Sequence, residues 1–112
     1  MSGKPPEATT ATAFQRRCID ACRRALTHSG HSQVVFEECG ERGLYFKTVV
    51  PLSNSKTLEI YVYADGVEFG INDEWTRFEK YDYKTLNDLT LDFCKKLSGR
   101  LSVLTGIRGT HD

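Results

Sequence analysis

The chain has 112 residues, 39 % hydrophobic and 27 % charged, with fifteen basic residues balanced by fifteen acidic ones. That length supports one domain around one core, and the composition argues against a disordered chain. No apolar run approaches the roughly 20 residues that span a bilayer. The charge is unevenly spread: residues 1–30 carry five basic against two acidic groups, residues 31–80 five against nine, and the remainder five against four. A whole-molecule attraction to nucleic acid, which needs a net cationic surface, is therefore not expected.

Residues 1–10 include Pro5 and Pro6 and show no periodicity, so a flexible tail is predicted. No hydrophobic segment follows Lys4, which argues against a secretory signal and for an intracellular, cytoplasmic location. Thr10 or Thr12 offers a helix cap. Phe14, Cys18, Ile19, Cys22, Ala25 and Leu26 then recur at spacings of three and four, with Arg16, Arg17, Asp20, Arg23 and Arg24 on the other side. That pattern predicts an amphipathic helix with Gly30 as its left-handed stop. Strands are expected from Gln33 to Glu38 and from Leu44 to Val49, separated by turn residues Cys39 to Gly43 and closed by Pro51.

Lys56 to Asn72 reads as a hairpin turning at Asp65-Gly66, with positive φ at both residues in a type I′ turn. That turn would pair Ala64 with Val67, Tyr63 with Glu68, Val62 with Phe69, Tyr61 with Gly70 and Ile60 with Ile71. Ile60, Val62, Phe69 and Ile71 would share the core face, and Tyr61, Tyr63 and Glu68 the opposite one. Glu74 to Tyr81 fits either a fifth strand or a partly extended loop. Thr85 to Asp88 resembles a capping box. It opens a helix striped by Leu86, Leu89, Phe93, Leu97, Leu101 and Leu104, in which Gly99 marks a kink or a close crossing and Gly106 a stop. The expected architecture is a two-layer α+β domain over residues 11–106: N-terminal helix, four- or five-stranded antiparallel meander, C-terminal helix, with residues 107–112 frayed.

The helix bearing Cys18 and Cys22, the segment Phe46 to Leu52 with its Thr48, Pro51 and Leu52, and the run Leu58 to Tyr63 closing on Asp65-Gly66 resemble a small bacterial and phage family of uncharacterised domains. The resemblance spans roughly residues 15–75. Two valines stand between Thr48 and Pro51, and Glu74 follows Asp73 where that family has glycine. The resemblance implies the fold and a prokaryotic or phage origin, and carries no assigned chemistry.

Enzymatic motifs are sparse. Four cysteines suit reduced thiols better than a disulfide framework, with Cys18 and Cys22 packed in the core and Cys39 the most exposed. Cys18, Cys22, His28 and His31 lack the close cysteine spacing of a zinc site. Cys39 with His28 or His31 could make a nucleophile pair, and Asp73 with Glu74 an acid–base pair, although adjacent strand residues point to opposite faces. No phosphate loop, serine elbow or helical metal motif occurs. The chain reads as a non-enzyme without cofactor or metal.

Binding fits better. Tyr45, Tyr61 and Tyr63 are expected on the sheet face away from the helices, among Lys47, Glu59 and Glu68. Tyrosine combines contact area with a polar tip, as interface hot spots do. The plainer reading makes them outward strand residues chosen for β-propensity, with Tyr61 shielding Gly70. Trp75 and Phe78, beyond the hairpin, either extend the aromatic patch or plug the end of the core, the second fitting Phe78 better. The expected function is binding of another macromolecule, foremost a protein, one version being a phage-encoded inhibitor of a host or defence complex. The alternatives are a nucleic-acid accessory protein using Arg16, Arg17, Arg23 and Arg24, a small thiol or metal enzyme, and self-pairing through an open strand edge as a homodimer.

Overall fold

The computed structural model of the chain describes residues 11–31, 33–40, 45–52 and 55–105. The expected tail, the turn residues Glu41 to Gly43, the strand residue Leu44, Ser53-Asn54, the side chain of Leu104 and the C-terminal stretch from Gly106 lie outside the described residues. Helix α1 (Ala13–His28) is followed by strands β1 (Glu37–Cys39), β2 (Tyr45–Pro51), β3 (Thr57–Tyr63), β4 (Gly66–Ile71) and β5 (Glu74–Glu79), then helix α2 (Leu86–Thr105). The strands form one antiparallel sheet in the order β1-β2-β3-β4-β5. This is the predicted α+β architecture, with the fifth strand present.

Both ends of α1 follow from local chemistry. The Thr12 hydroxyl accepts from the Gln15 amide at 3.1 Å, and the Gln15 side chain accepts from the Thr12 amide at 3.0 Å, so two first-turn donors are satisfied reciprocally. At the other end Gly30 takes φ +91°. The Gly30 amide then bonds the Thr27 carbonyl and the His31 amide the Leu26 carbonyl, a Schellman stop. Helix α2 begins where the Thr85 hydroxyl accepts from the Asp88 amide at 3.0 Å.

The two helices pack on each other and on one face of the sheet. Phe14, Cys18, Cys22 and Leu26 of α1 and Leu89, Phe93, Leu97 and Leu101 of α2 are buried with Phe46, Leu58, Ile60, Val62, Val67, Phe69, Ile71 and Phe78. At the centre Phe93 meets Phe69 and Phe78 edge-on, with ring centroids 5.9 and 5.4 Å apart, a favoured aromatic geometry.

Three expectations need correction. The β3–β4 register is Val62↔Val67, Ile60↔Phe69 and Leu58↔Ile71, slipped by two residues from the predicted pairing. The hairpin turns at Ala64-Asp65, and Gly66 already belongs to β4. The two successive positive-φ residues are instead Asn72 and Asp73, at +53° and +69°, between β4 and β5. They form the tight turn with the right hand for a two-residue hairpin, in the residue types that, glycine aside, tolerate that backbone best. Because the slip is even, no side chain changes face. Second, β1 has three residues and does not begin at Gln33; residues 33–36 cross from the helix layer to the sheet edge, with Val35 exposed and Phe36 buried. Third, Gly99 marks no close crossing, since it is exposed and a Cβ there would meet nothing within 4 Å.

Gly99→Ala should therefore stabilise the protein by about 1 kcal/mol, the difference in helix propensity. Chemical denaturation measures it; a loss of stability would show that position 99 is crowded.

Candidate functional site

The sheet face away from the helices collects the side chains that alternate with the core. Cross-strand neighbours share a face, so the register places Glu37 and Cys39 of β1, Tyr45, Lys47 and Val49 of β2, Glu59, Tyr61 and Tyr63 of β3, Gly66, Glu68 and Gly70 of β4, and Trp75, Arg77 and Glu79 of β5 on this side. All six residues expected at a partner surface, Tyr45, Lys47, Glu59, Tyr61, Tyr63 and Glu68, are brought together. Of the two readings of Trp75, extension of the aromatic patch or a plug at the end of the core, the structure has the first, and Arg77 is a member that the sequence reading missed.

Their membership depends on two glycines. The outward positions of β4 are Gly66, Glu68 and Gly70, so two of the three carry no side chain. Trp75, the cross-strand partner of Gly70, lies over it so closely that an added Cβ would sit 2.4 Å from the indole ring. Arg77 lies likewise over Gly66, where a Cβ would come within 2.9 Å of a guanidinium nitrogen and 3.0 Å of the Phe78 carbonyl oxygen. The β5 side chains thereby cross β4 and reach the tyrosines of β3. Trp75, not Tyr61, shields Gly70, which corrects the predicted pairing.

The result is a connected aromatic layer. Tyr45 lies 5.9 Å from Tyr61 and 5.4 Å from Tyr63, Tyr61 and Tyr63 stand near-parallel at 6.2 Å, and Trp75 is 5.7 Å from Tyr61. The Arg77 guanidinium carbon is 5.1 Å from the Tyr63 centroid, within cation–π range. Arg77 also pairs with Asp65 at 3.2 Å, Glu68 at 3.5 Å and Glu79. The tyrosines mask one another to half-burial, while Trp75 keeps 47 % of its surface.

Two of these phenols hold their protons more tightly than an ordinary tyrosine. Tyr61 donates to Glu59 at 2.9 Å, and that bond, aided by desolvation, pushes its pKa up to about 12. Desolvation and the Glu68 carboxylate raise Tyr63. Elsewhere, desolvation and a 2.6 Å bond to Asp92 raise Tyr83 to about 12.

The remaining candidates fare differently. Arg16, Arg17 and Arg24 are exposed on α1 and Arg23 half-buried, but Arg16 is tied to the Ala11 carbonyl and Arg23 lies over the Phe36 ring. At 3.6 residues per turn Asp20 sits amid that arginine face. Cys18 and Cys22 are buried, and desolvation lifts Cys18 to about 12 and Cys22 well above its ordinary value, the opposite of an activated thiol. Cys39 is half-buried beside Tyr45, its thiol donating to the Glu37 carbonyl. Glu74 pairs with Arg100 at 2.8 Å. Among the described residues no three of His, Cys, Asp and Glu gather to hold a metal ion, and no helix is long and apolar enough to cross a membrane. No family model, curated protein or solved structure matches the chain.

Gly70→Ala should cost about 1–3 kcal/mol and expose Trp75, shifting the emission of this single tryptophan to the red; an unchanged spectrum would show that the ring does not lie on the glycine. A second expectation concerns alkali. Tyr61, Tyr63 and Tyr83 bind their protons more tightly folded than at the ordinary value of 10.0. The stability they contribute is complete below that value and is lost as pH rises through the folded values, near 12 for Tyr61 and Tyr83. The denaturation midpoint should hold to about pH 10 and fall above it, less steeply in Tyr83→Phe; a fall equally steep in that variant would contradict the assignment.

Proposed function

We propose that this protein works by binding another protein through the outer face of its sheet. One observation carries the reading: four aromatic rings in mutual contact lie on the face turned away from the core, ringed by carboxylates. A layer of two helices already buries the inner face, so these rings are not needed to close the core. Aromatic side chains that present area at low entropic cost are the residues on which protein interfaces concentrate binding energy. Contiguous exposed apolar surface with a polar rim is the usual mark of such a site.

A nucleic-acid role is the weaker reading. Aromatic sheet faces do stack single-stranded bases, but they do so beside cationic grooves. Here Glu37, Glu59, Glu68 and Glu79 occupy the places where phosphates would run.

Affinity capture from cells of the native source tests the reading. A partner retained by the wild-type chain should be lost, by about tenfold or more, from the Tyr61→Ala, Tyr63→Ala double variant and kept by Arg17→Glu, Arg24→Glu. Thermal melting verifies that each variant is folded. Undiminished capture by the tyrosine variant, or loss confined to the arginine variant, would reject the sheet face as the site.

A further inference from the structure

Arg77 shows how the outer face holds a cation. Its guanidinium lies over the Tyr63 ring while Asp65, Glu68 and Glu79 supply carboxylate oxygens around it. A planar, weakly hydrated guanidinium suits that union of aromatic face and anionic rim better than an ammonium does.

Two residues along β3 the same elements recur without a cation of their own. The Tyr61 ring faces Trp75 at 5.7 Å, and the Glu59 carboxylate lies 2.9 Å from the Tyr61 hydroxyl. Gly70 is the cross-strand partner of both Glu59 and Trp75, so the exposed indole that covers it lies in the same cross-strand row as Glu59. Among the described residues Glu59 joins no ion pair, in contrast to Glu68 and Glu79. Charge over the whole face agrees: Glu37, Glu59, Asp65, Glu68 and Glu79 stand against Lys47 and Arg77. The surplus is three negative charges. Lys47, the cross-strand partner of Tyr61 on β2, bounds the seat on one side and leaves the Trp75 side for an incoming cation.

We propose that the outer face accepts an extended, arginine-bearing segment of a partner protein, one guanidinium seating on the exposed indole of Trp75 against Glu59 as Arg77 seats on Tyr63. This rests on the protein-binding reading and adds the chemistry of the partner. Its energetic logic is ordinary: a cation desolvated against aromatic faces and paired with a carboxylate gains more than an exposed ion pair, and the complementary field speeds encounter.

The single tryptophan lies in the seat, so its emission reports occupancy. The full chain is titrated with a short peptide carrying arginine at alternate positions, and with the citrulline counterpart, which keeps the shape and loses the charge. The arginine peptide should change the emission saturably and bind about tenfold more tightly than the citrulline one. Glu59→Gln, which still accepts the Tyr61 hydrogen bond, should abolish that preference without altering the thermal melt. Equal affinity for the two peptides, no saturable response to arginine, a preference that survives Glu59→Gln, or saturation by a single-stranded oligonucleotide instead of the peptide would each overturn the proposal. If partner capture then still depends on Tyr61 and Tyr63, the protein-binding face stands and only the cationic partner falls. Capture indifferent to the tyrosines removes both.

Discussion

Two helices can cover only one side of a five-stranded sheet, and most of this architecture follows from that limit. Strand side chains alternate between faces, so every residue that sends its neighbours into the Phe69–Phe78–Phe93 core leaves the intervening positions facing water. A sheet solvated on one side is ordinary for antiparallel folds, which usually clothe that side with polar residues. Here it is clothed with rings. Tyr45, Tyr61, Tyr63 and Trp75 pack laterally on one another, so the solvent side has a contact network of its own.

That network spans the sheet because β4 gets out of its way. Ordinary side chains at positions 66 and 70 would have formed a ridge separating the aromatics of β3 from those of β5. With glycine at both, the indole of Trp75 and the guanidinium of Arg77 lie down across β4. The missing side chains cost strand propensity, and lateral contact with Tyr61 and Tyr63 offsets the loss. Carboxylates complete the arrangement by holding phenols and guanidinium in place.

Much of this was legible in the residue order, for reasons of parity. The 3.6-residue spacing of Phe14, Cys18, Cys22 and Leu26, and of Leu89, Phe93, Leu97 and Leu101, defines both helices whatever they pack against. The outward set on β2 to β4 was equally robust, because a register error of two residues returns every side chain to the same face. The register itself was not legible. Asp65-Gly66 has stronger turn chemistry than Asn72-Asp73 when each is judged alone. What decides between them is distant: Gly66 must lie in the strand beneath Arg77, eleven positions later. Arg77 was missed, and Trp75 left open between patch and core, for the same reason, since their place depends on which residues of β4 lack a side chain. The extent of β1 depends on where a chain descending from the helix layer first touches the sheet, which no local pattern encodes.

Strand β5 is an edge strand, held by a single neighbour, yet it serves both sides of the molecule. Phe78 points into the core beside Phe93 of α2, while Trp75 and Arg77 point out. Occupancy of the aromatic side is thereby thermodynamically linked to folding: whatever settles there raises the melting temperature. By the same linkage a trimmed Phe78, hidden from any visitor, would weaken binding at that face by loosening the strand that displays it. A variant that lost affinity there would not by that alone be shown to touch the ligand.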